Sequence, residues 1–307
     1  MKHTGFRDVG ARLSNWGRWG SDDELGTLNF LTPERRAAAA KLIEHGTTIP
    51  LGLDLNDKGP QPSGGIRENC VHVMTRTGES PPAPGGFLYL DDLVTLHTHA
   101  ATQVDALSHV AYDGYLYNGT SLTTVTEKGA GSLGIENLRG SIQGRGVLLD
   151  LPEFFGVSHL EAGRVITVQE LDACLAAQGV STRAGDVLLI RTGWMKVFLL
   201  DGDRQRYLGA APGIGLDVAQ WLHEKKIAFI ASDNYAVEAV PGENEGEEMP
   251  VHCVLVRDMG MPLGEMFNLE GLSQEAKRRA RWEFFFTCQV LPITGGVGSP
   301  VAPVATF

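Results

Sequence analysis

Apolar runs and amphipathic helices alternate through the second half of the chain, and this alternation limits the folds open to it. Short apolar runs at 146–151, 185–194 and 227–234 are typical of buried strands. Helical patterns at 167–179 and 215–226 separate these runs. Because strands that alternate with helices form sheets covered by those helices, the pattern predicts an α/β domain.

The first half of the chain is richer in strand patterns. Its β-like runs lie at 47–55, 71–76 and 87–99. One helix is predicted over 31–46, with Thr32 as its N-cap and Pro33 in its first turn. We therefore expect mixed sheets within a single domain, with no internal repeat and no linker.

Two more strands and one capping motif complete the predicted elements. The apolar runs at 252–260 and 284–293 are interpreted as strands. Thr167 and Glu170 have the spacing of a capping box, in which each side chain bonds to the other's backbone N–H. The helix over 167–179 is therefore expected to begin at this pair.

Charge and cysteine content exclude several classes of protein. The formal net charge is −11 at pH 7, and no stretch gathers the lysines and arginines that a nucleic-acid partner requires. The four cysteines are scattered without a Cys-x-x-Cys pair, which favours a reducing cytoplasm. No secretory signal and no membrane helix are indicated. We expect a cytoplasmic protein without a nucleic-acid or membrane partner.

The segment 96–110, LHTHAATQVDALSHV, holds three histidines and an aspartate. A straight strand would spread these side chains too far apart for one ion, because four residues of extended chain span about 13 Å. The small residues at 100–102 permit a turn that brings His99 back towards Asp105. Asp105 and His109 are spaced as neighbours on a helical turn. Since unpaired buried polar groups destabilise a fold, this cluster predicts a metal or catalytic site.

The sequence HAATQVDALSH, 99–109, resembles the motif of the cyclase-like metal hydrolases, which include bacterial kynurenine formamidase and isatin hydrolase. That motif is His-x-Gly-Thr-His-x-Asp-x-Pro-x-His, and the alignment needs no gap. The chain departs from it at Ala101 for Gly, Leu107 for Pro and Gln103 for the second histidine.

The resemblance extends over nearly the whole chain. The similar segments outside the motif are 15–34, 188–194, 231–241, 251–272 and 294–303. The first of them resembles a longer subgroup of the family. The resemblance implies a swivelling β/β/α fold for 1–307, with 1–46 as an N-terminal arm and helix packed on it. It also implies a homodimer or homotetramer.

The resemblance implies roles for individual residues. A divalent ion would be held by His99 and Asp105, with position 103 supplying the third ligand, and His109 would be the proton shuttle. The segment 251–272 nominates His252 as a further metal ligand and Glu265 as a catalytic residue that positions water or binds a substrate N–H. In two-metal members the aspartate bridges the ions, whereas in one-metal members the later His and Glu lie nearby.

Gln103 determines which ion is expected. An amide oxygen is a weaker, harder ligand than imidazole, so a His, Gln, Asp set favours Mn²⁺ and leaves Zn²⁺ as the alternative. Three other possibilities stay open. His97 could supply the missing nitrogen, Gln103 could contact a ligand rather than the ion, or the metal could have been lost.

Three residues are candidates for substrate binding. Trp16 and Trp19 could form an aromatic wall or simply anchor the N-terminal segment. Asn234 ends a predicted strand, where α/β sites often gather, although a turn role is equally open. The glutamate-rich segment 238–250 is interpreted as a solvated loop, with a lid as the alternative.

The predicted function is a metal-dependent hydrolase that cleaves an amide-type C–N bond in a small molecule. A cyclic amide or an N-acyl or N-formyl aromatic is the expected substrate. The alternatives within the same fold are a lactonase, since the same activated water attacks esters, and a polyketide-type cyclase or dehydratase. A metal-free binding protein is the alternative outside enzymes.

Overall fold

Strands and short helices alternate along the chain in the computed structural model, which describes residues 5–244 and 246–307. The strands are β1 Thr48–Pro50, β2 Val71–Arg76, β3 Asp91–Thr95, β4 Gln103–Asp105, β5 Val125–Thr126, β6 Gly129–Ala130, β7 Gln143–Asp150, β8 Val165–Ile166, β9 Val187–Arg191, β10 Gly213–Ile214, β11 Phe229–Ser232, β12 Leu263–Glu265, β13 Glu283–Thr287, β14 Gly298–Pro300 and β15 Val304–Thr306. The helices are α1 Phe6–Leu13, α2 Pro33–Ala40, α3 Leu151–Phe155, α4 Val168–Ala177, α5 Met195–Leu199, α6 Arg204–Gly209, α7 Asp217–Lys225, α8 Pro250–His252 and α9 Glu270–Arg279. Short 3₁₀ turns lie at Gly26–Phe30, Tyr117–Gly119, Leu122–Thr124 and Ile135–Leu138.

A nine-stranded mixed sheet forms the centre of the molecule. Its strand order is β1-β15-β13-β7-β9-β11-β12-β4-β14. The four strands β7, β9, β11 and β12 run parallel, and antiparallel strands extend the sheet on both sides. The predicted single α/β domain with mixed sheets is confirmed. The first four residues of the predicted arm lie outside the described residues.

Both faces of the central strands are buried, and alternate residues serve opposite faces. Leu188 and Ile190 pack with the core that contains residues of α4 and α7, whereas Val187 and Leu189 pack with the core that contains residues of α9 and β13. This alternation follows the two-residue period of a strand. A continuous apolar run, rather than an alternating one, is therefore the sequence pattern of such a strand.

The predicted helix starts are observed. The Thr32 side chain accepts a hydrogen bond from the backbone of Arg35, and α2 ends at Ala40, earlier than predicted. Thr167 and Glu170 form the expected capping box at the start of α4.

The segment predicted as a strand over 252–260 is a helix, which corrects the sequence interpretation. After α8 the chain continues as a π-helical turn, Cys253–Asp258, and Met259 N donates to Val254 O. The side chains from Cys253 to Val256 are all buried, so no polar side of the helix interrupts the apolar run. A short, fully buried helix and a buried strand have the same apolar pattern, and periodicity cannot separate them.

The N-terminal helix α1 packs against this π-helical segment. Asn15, just beyond α1, donates its side-chain amide to the Met259 carbonyl oxygen. Phe6, Val9 and Leu13 of α1 are buried in the same core. No helix among the described residues is long and apolar enough to cross a membrane.

Candidate metal centre

Strand β4 lies between β12 and β14, and this pairing positions three polar side chains. Glu265 of β12 is directly opposite Gln103, and Gly298 of β14 is opposite Asp105. Because opposite residues share a face and side chains alternate along a strand, Gln103, Asp105 and Glu265 lie on one face of the sheet. All three side chains are buried.

His99 returns to this face through the turn that precedes β4, as the small residues at 100–102 predicted. Ala100 N donates to the His97 carbonyl oxygen, which closes a turn over 97–100, and the backbone bends on through 100–102. The His99 Nε2 atom lies 3.4 Å from Asp105 Oδ1. A Cβ atom at position 298 would lie 2.2 Å from His99 Nε2, so glycine is needed there to admit the imidazole.

His109 lies beside His99 after the second turn of the motif. The two imidazole rings stack with their centroids 4.2 Å apart and an interplanar angle of 21°. His99, Asp105 and His109 can each place one ligand atom within 4.8 Å of the other two. The motif residues therefore form one group with the geometry to share an ion.

His252 and Glu265 form a second group with Asp105, and their ligand atoms also lie within 4.8 Å of one another. The His252 Nε2 atom is 3.1 Å from Glu265 Oε1 and 3.9 Å from Asp105 Oδ2. Asp105 belongs to both groups, and its two oxygens face different histidines.

Glu238 also belongs to this centre, and the sequence analysis missed it. Its Oε1 atom lies 2.5 Å from His252 Nδ1 and accepts a hydrogen bond from His252 N, and its Oε2 accepts from Val251 N. The prediction that Glu238 lies in a solvated loop is wrong, because it is buried. Its apolar neighbours Ala236 to Val240 were the only signal that set it apart from the other glutamates.

Two of the remaining glutamates of that segment are solvated as predicted, and Glu247 is half-buried. Glu243 and Glu248 are exposed. Glu245 lies outside the described residues.

Gln103 contacts carboxylates through its amide nitrogen. Gln103 Nε2 donates to Glu265 Oε2 at 2.6 Å and lies 3.5 Å from Asp105 Oδ1. Its Oε1 is buried and makes no hydrogen bond to a described residue. In this orientation Gln103 holds the Glu265 carboxylate in place. His97 is exposed and belongs to neither group of candidate ligands.

Burial and neighbouring charges change the protonation of the centre. Burial, assisted by the charge of His109, lowers the pKa of His99 to about 3. Burial and the nearby Glu265 raise the pKa of Asp105 to about 6. Burial also lowers the pKa of His109. Burial opposes the charged form of His252, but its hydrogen bonds to Glu238 and Glu265 outweigh burial and raise its pKa well above the ordinary value.

The residues present fit a divalent ion. His99 Nε2 and Asp105 Oδ2 are buried and make no hydrogen bond to any described residue. Leaving a buried polar atom without a partner costs about 1–3 kcal/mol. Imidazole nitrogen and carboxylate oxygen are ligands of first-row divalent metals, so a bound ion would satisfy both atoms.

Trp16 and Trp19, two of the predicted substrate-binding residues, pack against neighbouring aromatic side chains. Trp16 donates its indole N–H to the Arg257 carbonyl oxygen and packs on Tyr115. Trp19 packs edge-on against Phe30.

Asn234 is buried, and its side chain bonds both to its own turn and to the backbone of Pro212. Its Nδ2 donates to Pro212 O, and its Oδ1 accepts from Ala236 N and Val237 N. The turn role that the sequence left open is therefore the one observed.

Three solved structures illustrate what the chain resembles. A crystal structure described as a novel cyclase is 38% identical, with a TM-score of 0.89, over 96% of this chain and 99% of that one. An isatin hydrolase bound to the product analogue thioisatinate is 20% identical, with a TM-score of 0.60, over 87% and 93%. A predicted metal-dependent hydrolase from Bacillus stearothermophilus is 15% identical, with a TM-score of 0.52, over 85% and 98%. The two hydrolases are evidence for the fold alone.

A family comparison covers most of the same region. No curated protein matches the sequence. Residues 31–239, more than half of the chain, match the protein family described as "Putative cyclase". Together with the 38% identity to a solved cyclase along 96% of the chain, this match shows that the chain belongs to the cyclase family.

Proposed function

We propose that this protein is a metal-dependent hydrolase that cleaves an amide-type C–N bond in a small molecule. A cyclic amide or an N-acyl or N-formyl aromatic is the proposed substrate. The observation that carries the proposal is Asp105, which is shared by two groups of nitrogen and oxygen ligands. The similar structures described as cyclases and hydrolases support an enzyme of this kind.

His99 and Asp105 would hold one ion, and Asp105 with His252 and Glu265 has the geometry to hold a second. When bound, a divalent ion lowers the pKa of a water molecule and polarises the carbonyl group under attack. Mn²⁺ is favoured and Zn²⁺ is the alternative, because the carboxylate oxygens of Asp105 and Glu265 are harder ligands than the imidazole nitrogen that a histidine would supply in place of Gln103.

His109 would carry the proton. Because burial lowers its pKa, the imidazole is neutral near pH 7 and can accept a proton from water. The same group can then donate that proton to the leaving nitrogen, which an amine requires in order to depart. His109 is less buried than His99, so it lies on the accessible side of the stacked pair.

Glu265 would act through its two oxygens. One contacts His252 and the other accepts from Gln103, so the carboxylate is held in a fixed orientation. A fixed carboxylate positions water or a substrate N–H with little loss of conformational entropy. We therefore propose Gln103 as a positioning residue for Glu265.

Elemental analysis of the purified protein and of the Gln103→His variant tests the proposal. We expect at least about one equivalent of manganese or zinc per chain, because each of the two candidate ligand groups has enough ligands for one ion. The same preparations would be assayed with a formamide, a cyclic amide and a lactone, and cleavage of the C–N substrates is expected to be fastest.

The alternative to an enzyme is a metal-free binding protein. It is supported by the contact of the Gln103 amide with the carboxylates of Asp105 and Glu265. Absence of metal in both preparations, after supplementation with Mn²⁺ and Zn²⁺, would support that role. If the lactone is cleaved fastest, the proposed amidase activity is wrong and the protein is a lactonase.

A further inference from the structure

Arg67 lies beside the candidate metal centre and takes no part in the interactions described so far. Its side chain is half-buried, and one terminal nitrogen donates to the His99 carbonyl oxygen at 3.3 Å. The guanidinium therefore lies against the backbone of a candidate metal ligand.

Arg67 differs from the buried arginines of the fold because it has no acidic partner among the described residues. Arg145 pairs with Asp186 and Glu283, and Arg191 pairs with Asp150 and Glu270. For Arg67 the described part of the chain shows one side-chain hydrogen bond and no ion pair. A guanidinium has five N–H donors, so most of its capacity is available to a ligand.

Neither a bound metal nor the carboxylates of the centre explain a cation at this position, because Asp105 and Glu265 contact His99 and His252 and form no ion pair with Arg67 among the described residues. A positive charge beside a divalent ion opposes binding of that ion. The charge becomes favourable when an anion lies between the two cations, since the anion is attracted by both. The placement of Arg67 therefore indicates a ligand with negative charge near the scissile bond.

We propose that Arg67 binds a carboxylate group of the substrate. The inference rests on the proposed hydrolase function and narrows the substrate to an N-acyl or cyclic amide that carries a carboxylate close to the C–N bond. A guanidinium suits this ligand because two of its parallel N–H groups match the two oxygens of a carboxylate. The contact with the His99 carbonyl oxygen fixes the side chain and leaves the other donors available.

N-formylanthranilate and formanilide form a matched pair of probes. Both contain the same aromatic formamide, and only the first carries a carboxylate next to it. Water adds to the formyl carbon, the C–N bond breaks and the amine receives a proton, which yields formate with anthranilate or with aniline.

The first experiment measures binding and needs no turnover. Anthranilate and aniline are titrated calorimetrically into the purified full-length protein and into its Arg67→Gln, Arg67→Lys and Arg204→Gln variants. The Arg67→Gln variant removes the charge and keeps a polar side chain with an N–H donor. Arg204 is a matched control, because it donates to the carbonyl oxygens of Lys58 and Gly59 in the segment that leads to Arg67.

The wild-type protein and the Arg204→Gln variant are expected to bind anthranilate, and Arg67→Gln is expected to weaken that binding by about tenfold or more. Arg67→Lys should fall between them, since lysine keeps the charge and loses the paired donors. Equal binding of anthranilate by the wild-type and Arg67→Gln proteins would overturn the proposal. So would a wild-type protein that binds anthranilate no better than aniline.

The second experiment compares the kinetics of cleavage. Arg67→Gln should lower kcat/KM for N-formylanthranilate by about tenfold or more, mainly through KM, and change formanilide cleavage by less than about threefold. Equal losses on both probes would mean a structural role for Arg67 and would overturn the proposal. If the wild-type protein cleaves neither probe, the hydrolase proposal fails for formamides, and the titration decides the role of Arg67.

Discussion

Glu238 holds His252 from the side opposite the candidate ligands, with its Oε1 2.5 Å from the imidazole Nδ1. The same carboxylate accepts hydrogen bonds from the backbone of Val251 and His252. Nδ1 is therefore occupied, and Nε2 is left to face Glu265 and Asp105. A carboxylate in this position fixes both the tautomer and the orientation of a metal-binding histidine.

Replacing Glu238 should weaken metal binding without unfolding the protein. In the Glu238→Gln variant the charge that holds His252 is lost, and such substitutions reduce metal affinity by about 10–100-fold. Competition with a chromophoric chelator measures the affinity, and circular dichroism checks the fold. Glu248→Gln is the control, because Glu248 is an exposed glutamate of the same loop. Unchanged affinity in the Glu238 variant would remove this residue from the centre.

Asp105 should make the metal-free protein less stable as pH rises. Its pKa is raised to about 6 in the folded chain by burial and Glu265, whereas an unfolded aspartate titrates near pH 3.9. Between these values the folded state binds the proton more tightly, so stability is lost as pH increases through about 4 to 6 and the cost persists above it.

The uncharged Asp105→Asn variant should avoid that cost. Chemical denaturation of chelator-treated protein measures the free energy of unfolding of the variant and of the wild type. The variant's value minus the wild-type value should be larger at about pH 7 than at about pH 4, by roughly 1–3 kcal/mol. The variant should also lose its metal. A stability difference that does not change with pH would contradict the raised pKa.

His109 should be needed for turnover and not for retention of the ion. The His109→Ala variant is expected to keep its metal and to lose about 10²–10⁴-fold in kcat, the contribution of a proton-transfer group. Elemental analysis and steady-state kinetics on one preparation measure both quantities. Loss of metal together with activity would instead make His109 a ligand beside His99 and Asp105, which the geometry of that group permits.

Gly298 should tolerate no side chain. A Cβ atom there would lie 2.2 Å from His99 Nε2, so Gly298→Ala must displace the imidazole. We expect reduced metal content, measured by elemental analysis, with the overall fold retained. Gly78→Ala is the matched control, because a Cβ at Gly78 meets nothing within 4 Å. Normal metal content in the Gly298 variant would exclude His99 as a ligand.

The residues of the centre that could be predicted from the sequence are those that lie close together in it. His99, Asp105 and His109 lie within eleven residues, and small residues mark the turn that brings them together. The pairing of Glu265 with Gln103 depends on the register of two strands distant in the chain. Only resemblance to a known family connected those strands in advance.

The two incorrect sequence predictions, for Glu238 and for the segment after His252, also have physical causes. Glu238 shares its segment with four other glutamates, and composition carries no information about which one turns inward. The segment after His252 is buried on all sides, so its helix shows no polar face by which to recognise it. The apolar runs of β7, β9 and β11 are buried strands as predicted, whereas a similar run after His252 is a buried helix, so such a run leaves the element type open.

The position of β14 at the edge of the large sheet affects how the protein opens locally. This three-residue strand is hydrogen-bonded only to β4 in the sheet order, and it supplies the glycine that admits His99. Edge segments open locally at lower free energy than central strands. Transient release of β14 would free the imidazole while the parallel strands stay paired, so the proposed ion would exchange with solvent through local opening, at a rate independent of global unfolding.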